Sequence, residues 1–153
     1  MSQIHPVPAG FAARARIQSG HNKLDYRHSI ADPEKFWGEV GQRLDWSRPY
    51  TQVKDTSFDK HDFRIRWYAD GQLNVAANCL DRHLASRGDK TAILWEPDEP
   101  EEPAQRISYR ELHARVCKLA NALQNLGIAK GDRVAIYLPI IPEAAVAMLA
   151  CAR

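Results

Sequence analysis

The sequence lacks an excess of charge of either sign and has no long apolar run. Its net charge is +2 and its basic residues are scattered, so we expect neither nucleic acid nor a membrane surface as a partner. Arg14 and Arg16 are the one weak exception, as a short basic pair near the N-terminus. No stretch of 18 apolar residues exists, and the first residues lack the pattern of a secretory signal. The sequence therefore predicts a chain without a membrane span.

Cysteine is also scarce. The three cysteines, Cys79, Cys117 and Cys151, are far apart, and no two form a C-x-x-C pair. An odd number without that spacing is typical of a protein from a reduced compartment, and we expect a cytoplasmic location. We interpret all three as small buried apolar residues rather than as nucleophiles or redox groups.

The motifs that cradle phosphates or present a nucleophile are absent as well. Neither G-x-x-x-x-G-K-[ST] nor G-x-G-x-x-G nor G-x-S-x-G occurs. The segment from Gly127 to Asp132 contains glycine and lysine in a different order, and we interpret it as a helix end followed by a turn. The sequence thus predicts no catalytic, cofactor-binding or metal-binding residue in this chain.

The histidines and tryptophans do not strongly indicate a functional site either. His83 lies on the apolar face of a predicted helix, and we interpret it as structural; the other five histidines lack metal-ligand spacing. The acidic, proline-rich loop at 97–103 is expected to be solvated and not to hold a metal. The four tryptophans fit packing positions, with an aromatic ligand cage as the alternative; they are Trp37, Trp46, Trp67 and Trp95.

The first half of the chain carries one strong helix signal. Residues 1–30 are weakly patterned, with a short helix expected between Phe11 and Ile17. Asp32 and Pro33 form a helix start, because an aspartate accepts from free N–H groups and proline fits the first turn. This helix is predicted to run to about residue 43, followed by irregular chain at 51–62 and a strand at 64–68.

The second half shows regular alternation of helices and strands. Asn74 is predicted to cap a helix that ends near Arg87, with Gly88 stopping it as the C′ residue. A hairpin of strands at 91–96 and 106–108 follows. The capping box formed by Ser108 and Glu111 begins a helix that runs to about residue 126, where Gly127 ends it.

The last predicted elements are a buried, central strand at 133–138 and a helix that begins at Pro142. That helix has apolar residues on all sides and no stop signal, and a strand–helix unit of this kind needs a second parallel strand. We therefore predict an α/β fold that is incomplete at the C-terminus and forms the opening portion of a longer protein.

Several strings together carry a family resemblance that covers the chain from about residue 20. They are DPEKFW at 32–37, LDW at 44–46, WYADG at 67–71, LNVAANCLDRH at 73–83, ISYREL at 107–112 and PEAAVAMLACAR at 142–153. The combination resembles the N-terminal part of the acetyl-CoA synthetases, which are AMP-forming acetate–CoA ligases of the adenylate-forming superfamily. The sequence pattern of residues 73–83 is closer to that of the acetyl-CoA synthetases than to that of the propionyl- or acetoacetyl-CoA synthetases.

The resemblance implies a parent that uses ATP, magnesium and coenzyme A. In that family acetate and ATP give acetyl-AMP and pyrophosphate, and coenzyme A then displaces AMP. The family's phosphate loop, acyl pocket and catalytic lysine lie downstream of the matched part. The resemblance therefore assigns no site residue to this chain and makes the rest of the parent chain its expected partner.

The resemblance also implies the architecture, in which a helical and irregular N-terminal cap precedes the first helix–strand elements of a large nucleotide-binding α/β domain. We expect a flexible arm at 1–24, a cap of the acetyl-CoA synthetase type at 25–83, and the start of the AMP-binding domain at 84–153. The expected function is that of an N-terminal fragment of an acetate–CoA ligase, inactive alone. The alternatives are a non-catalytic binding module that reuses the cap, and the equivalent part of a propionyl-CoA synthetase.

Overall fold

The computed structural model describes residues 5–153 and divides them into two compact units. The N-terminal unit contains residues 5–44 and 50–69. The C-terminal unit contains Asp45–Pro49 and Asp70–Arg153. Helices and strands occur in both units, as the predicted α/β class requires. No helix among the described residues is long and apolar enough to cross a membrane.

The N-terminal unit consists of three helices and a two-stranded antiparallel sheet. The helices are α1 (Ala9–Arg14), α2 (Ser19–Ala31) and α3 (Pro33–Gly41), and the strands are β1 (Lys54–Ser57) and β2 (Arg64–Trp67). The predicted start of α3 is confirmed, because the Asp32 side chain accepts a hydrogen bond from the Lys35 N–H.

The sequence did not predict two elements of this unit. Helix α2 has 13 residues and no apolar face, so the helical period gives no signal there. Strand β1, of sequence KDTS, lies within a stretch expected to be irregular. Its partner β2 and the ion pair between Arg64 and Asp55, at 2.7 Å, stabilise it. Pairing with the next strand therefore overrides the low strand propensity of a polar segment.

Aromatic side chains hold the N-terminal unit together. The ring centroids of Tyr50 and Tyr68 lie 4.6 Å apart, and their hydroxyls donate to the carbonyls of Gly38 and Trp37 in α3. Trp37 also packs edge to face on another ring of the unit, Trp67. The tryptophans at 37 and 67 thus pack with each other within one unit.

The C-terminal unit begins with a broken helix. Its elements are α4 (Val75–Cys79), a 3₁₀ turn at Asp81–His83, α5 (Leu84–Arg87), β3 (Thr91–Trp95), β4 (Gln105–Ser108), α6 (Tyr109–Asn125) and α7 (Pro142–Ala152). The Asn74 cap is confirmed, since its side chain accepts from the Ala77 N–H at 3.0 Å. The expected single helix from 74 to 87 is wrong. It breaks at Leu80, whose φ of −123° leaves the helical range while its side chain enters the core.

The helix stops differ from one another. Helix α5 ends at Arg87, so the predicted stop at Gly88 is confirmed, although Gly88 is the C-cap and not the C′ residue and has a right-handed φ of −51°. The predicted end of α6 at Gly127 is also confirmed, since the helix ends at Asn125 and Gly127 has a left-handed φ of +86°. The capping box of α6 is also confirmed: Ser108 N–H donates to the Glu111 carboxylate, and Glu111 N–H donates to the Ser108 hydroxyl.

The core of the C-terminal unit lies between the β3–β4 hairpin and helices α4, α6 and α7. The antiparallel hairpin is confirmed, with Ile107 facing inward. The predicted stripe of α6 contributes Leu112, Val116 and Ala120, and Leu119 and Leu123 pack at its margin. The buried cluster is Leu80, Ile107, Leu112, Val116, Ala120, Val146 and Ala150.

The predicted buried strand at 133–138 is wrong for this structure. The segment forms neither helix nor strand, it pairs with no strand among residues 5–153, and every residue in it is exposed. Helix α7 likewise buries only Pro142, Val146 and Ala150, although apolar residues surround it. The sequence pattern shows that these surfaces are apolar, and burial needs a covering layer that the described residues do not supply.

Candidate functional site

Chemically versatile side chains come together at one place in the C-terminal unit. Asp81 lies in the 3₁₀ turn, His113 and Cys117 lie one turn apart on α6, and Arg153 directly follows α7. Asn74 completes the group, because its amide donates to the Arg153 carbonyl at 3.2 Å. We call these five residues the Asp81 cluster.

An ion pair dominates the Asp81 cluster. The Arg153 guanidinium donates to both carboxylate oxygens of Asp81, at 2.8 Å each. This bidentate pair lowers the pKa of Asp81 from 3.8 to about 2, chiefly through the hydrogen bonds from Arg153. Asp81 in turn raises the pKa of Arg153. The pair therefore ties the 3₁₀ turn to the end of α7.

His113 and Cys117 do not have the geometry of an activated nucleophile. The Cys117 sulfur lies 3.5 Å from Nε2 and 3.9 Å from Nδ1 of His113. A sulfur on the axis of one ring nitrogen would lie much farther from the other, so this sulfur sits beside the ring. Nε2 is also the atom that approaches Asp81, at 3.4 Å. A nucleophile, base and orienting carboxylate need two separate ring nitrogens. The Asp81 cluster is therefore a structural clasp.

The Asp81–Arg153 ion pair makes the free energy of unfolding of the C-terminal unit depend on pH. We expect Asp81→Asn to lower the free energy of unfolding at pH 7 by about 1 kcal/mol, since the carboxylate is a third exposed and solvent screens the pair. The folded-state pKa lies below the ordinary value, so the stabilisation is complete above pH 4 and lost as the pH falls toward 2. Urea unfolding between pH 6 and pH 2.5 measures both effects.

Asp89→Asn is the matched control for this change. Asp89 also pairs with an arginine, Arg110 at 3.1 Å, but it is almost fully exposed. We expect a change within about 0.5 kcal/mol and an unaltered pH profile for it. Equal losses for both variants, or a wild-type pH profile for Asp81→Asn, would contradict the role assigned to the clasp.

The residues considered from sequence lie elsewhere. His83 is half-buried, and its ring contacts that of Tyr109 with centroids 5.5 Å apart. The buried position expected for all three cysteines is wrong: Cys79 and Cys151 are exposed and Cys117 is half-buried, although all are free thiols. The reason is that α4 and α7 each bury a narrower face than their composition suggests. The indole of Trp95 donates to the Ile140 carbonyl at 2.9 Å.

The Asp81 cluster itself was missed by sequence reasoning. The i, i+4 spacing of His113 and Cys117 on one helix is a usable signal. Nothing local connects them with Asp81 or Arg153, which lie 32 and 40 positions from His113. Only the packing of the 3₁₀ turn, α6 and α7 brings these groups together.

A cleft of about 700 Å³ lies in the C-terminal unit. Its walls include Leu123 of α6, Met148 of α7, and Val134 and Ile136 of the segment at 133–138. The turn at 127–132 forms one end, where the Asp132 carboxylate accepts from the Ala129 N–H at 2.8 Å. This hydrogen bond agrees with the turn that the sequence predicts between Gly127 and Asp132. Among the described residues no three His, Cys, Asp or Glu side chains could hold a metal ion.

Comparison with known proteins gives the same family along nearly the whole chain. The model of the acetyl-coenzyme A synthetase N-terminus matches residues 23–79, and the model of the AMP-binding enzymes matches residues 80–153. An acetyl-coenzyme A synthetase of Novosphingobium aromaticivorans is 60% identical over 98% of this chain and 23% of its own length. Its counterpart in Xanthomonas campestris pv. campestris is 60% identical over 100% of this chain and 24% of its own length.

The fold agrees with a solved structure. Acetoacetyl-CoA synthetase from Streptomyces lividans matches 94% of this chain and 22% of its own with a TM-score of 0.74 and 31% identity. The chain spans about a quarter of the length of the curated relatives it matches. Over residues 23–153, the chain thus belongs to the acetyl-coenzyme A synthetase family of AMP-binding enzymes and matches the N-terminal quarter of its members.

Proposed function

We propose that these 153 residues are the N-terminal part of an acetate–CoA ligase of the AMP-forming type. The supporting observation is the 60% identity with acetyl-coenzyme A synthetases, which extends over the whole chain. In the proposed reaction, an acetate oxygen attacks the α-phosphorus of ATP, and pyrophosphate leaves. The coenzyme A thiol then attacks the acyl carbon of acetyl-AMP and displaces AMP. The identity with acetoacetyl-CoA synthetase is lower, and no observation favours a propionyl-CoA synthetase or a separate binding module.

The chain's own contribution is scaffolding. We propose a cap at 25–83 and the first layer of the AMP-binding domain at 84–153, a division supported by family matches that meet at residues 79 and 80. We propose that ATP, magnesium and coenzyme A are held by the rest of the ligase, in the cytoplasm. In support, the sequence contains no phosphate-loop motif, and the described residues contain no group of three His, Cys, Asp or Glu that could hold a metal ion.

The test has two arms. The 153-residue chain alone is expected to give no acetate-dependent exchange of pyrophosphate into ATP, with the full Xanthomonas campestris relative as positive control. A chimera that carries this chain in place of the matching part of that relative is expected to exchange within about tenfold of it, which is about 1.4 kcal/mol of transition-state stabilisation. Exchange by the chain alone, or a folded but inactive chimera, would contradict the proposal. A chimera that prefers propionate would support the propionyl alternative.

A further inference from the structure

Residues 45–49, which we call the latch, interrupt the N-terminal unit. The chain leaves that unit after Leu44, contributes the latch to the C-terminal unit, and returns at Tyr50. It enters the C-terminal unit again at Asp70 and remains there. Residues 50–69, which carry β1 and β2, therefore form a loop whose two ends both continue into the C-terminal unit.

The backbone of the latch pairs with the chain that re-enters the C-terminal unit. The Gln72 N–H donates to the Arg48 carbonyl at 2.8 Å, and the Arg48 N–H donates to the Gln72 carbonyl at 3.1 Å. The N–H and the hydroxyl of Ser47 donate to the same Gln72 carbonyl, and the Arg48 Nε donates to the Asp70 carbonyl at 2.8 Å. These hydrogen bonds close the loop at its base.

The Asn78 side chain holds the other end of the latch. Its Oδ1 accepts from the Asp45 N–H at 2.8 Å, and its Nδ2 donates to the Asp45 carbonyl at 2.9 Å. The same amide accepts from Arg82 and donates to the Asn74 carbonyl, so all four of its hydrogen-bonding positions are used. An ionised aspartate has the same shape but no N–H, so it cannot make the two donor contacts.

The latch is held mainly by hydrogen bonds at the protein surface. Asp45 and residues 47–49 are exposed, and Trp46 is half-buried. Contacts of this kind open at a lower free energy than a buried core does. Near the end of the loop, Tyr68 has a left-handed φ of +49°, which is strained for a bulky residue and persists only while its surroundings hold it. We propose that the latch is a releasable device that keeps residues 50–69 in a closed loop and thereby stabilises the β1–β2 sheet.

Loop closure is the physical reason for this stabilisation. A segment whose ends are joined has fewer unfolded conformations to gain when its sheet opens, as happens with a disulfide. The latch joins the ends without a covalent bond, so the effect is lost whenever the latch opens. This role goes beyond the proposed ligase function and does not depend on it.

The experiment is amide hydrogen exchange on the 153-residue chain and its Asn78→Asp variant. The N–H groups of Ser47, Arg48 and Gln72 report the latch, the paired amides of β1 and β2 report the sheet, and the amides of α6 report global unfolding. We expect Asn78→Asp to speed exchange of the latch and the sheet by about tenfold or more, and that of α6 by less than about threefold. Asn121→Asp makes the same change at an exposed position of α6 and should leave the latch and the sheet unaltered.

Three results would overturn the proposal. The first is wild-type exchange of the latch or of the sheet in Asn78→Asp. The second is an equal acceleration of α6, which would show global destabilisation instead of local release. The third is a sheet without protection in the unsubstituted chain, since the latch would then stabilise nothing.

A crosslink separates loop closure from other effects of the Asn78 substitution. Two residues that exchange both hydrogen bonds of an antiparallel bridge have Cα atoms about 5.5 Å apart, which a disulfide can span. We expect Arg48→Cys with Gln72→Cys, added to Asn78→Asp, to return exchange of the sheet to within about threefold of wild type when oxidised, but not when reduced. Peptide mapping identifies the 48–72 crosslink. A crosslinked chain whose sheet still exchanges as fast as in Asn78→Asp would refute loop closure.

Discussion

Val116→Asp is expected to unfold the C-terminal unit. Val116 is fully buried at the centre of the α6 stripe, within the cluster that includes Leu80 and Ile107. A carboxylate at this position has no cationic partner among the buried residues, and an uncompensated buried charge costs about 3–5 kcal/mol. That is a large part of the stability of a domain of this size. We expect loss of amide protection throughout α6 and α7 at pH 7.

The matched control is Lys118→Asp, two residues farther along the same helix. Lys118 is exposed, so the same new side chain meets water there. We expect a change within about 0.5 kcal/mol, as for most surface substitutions. If both variants unfold, the charge change rather than burial is responsible. If Val116→Asp keeps wild-type protection of α6, the assignment of the core is wrong.

Gly41→Ala is expected to destabilise the N-terminal unit by about 1–3 kcal/mol, the usual cost of overpacking. An added Cβ would lie 2.7 Å from the Tyr50 hydroxyl and 3.0 Å from the Tyr68 ring. Neither ring moves freely, because both hydroxyls donate to carbonyls of α3. The urea midpoint followed by tryptophan fluorescence measures the loss, since Trp37 lies on the same helix.

Gly38→Ala, on the same helix, is the control for the Gly41 variant. Its added Cβ would meet only Val53, at an ordinary van der Waals distance of 3.4 Å. Alanine there removes the entropic cost of glycine in a helix, so we expect a gain of about 0.5–1 kcal/mol. Opposite signs for the two variants would show that close approach, not helix propensity, requires glycine at 41. Stabilisation by both would refute that explanation.

Local signals predicted the ends of elements well. Asp32, Asn74 and the pair Ser108–Glu111 each cap the helix that the sequence assigns to them. These hydrogen bonds join residues three positions apart, so they do not depend on tertiary packing and can be predicted from the local sequence. The β3–β4 hairpin and the α6 stripe were predictable for a similar reason, since their periodicity lies within short windows.

Long-range contacts account for the misses. Helix α2 has no apolar face, β1 is polar and depends on its pairing with β2, and the helix expected from 74 to 87 breaks so that Leu80 enters the core. The segment at 133–138 has the sequence pattern of a buried strand, but nothing among the described residues covers it. The Asp81 cluster belongs to the same class, because its members come from the N-cap of α4, the 3₁₀ turn, α6 and the residue that follows α7.

By itself, the sequence determined the caps, the main helices and the hairpin, together with the family resemblance that the comparisons bear out. Those features depend on neighbouring residues or on the strings themselves. Only the tertiary structure decided which apolar residues are buried, where the 74–87 helix breaks, and that Asp81 and Arg153 form a clasp. The physical reason is that burial and ion pairing depend on what packs against a residue, and that partner lies far away along the chain.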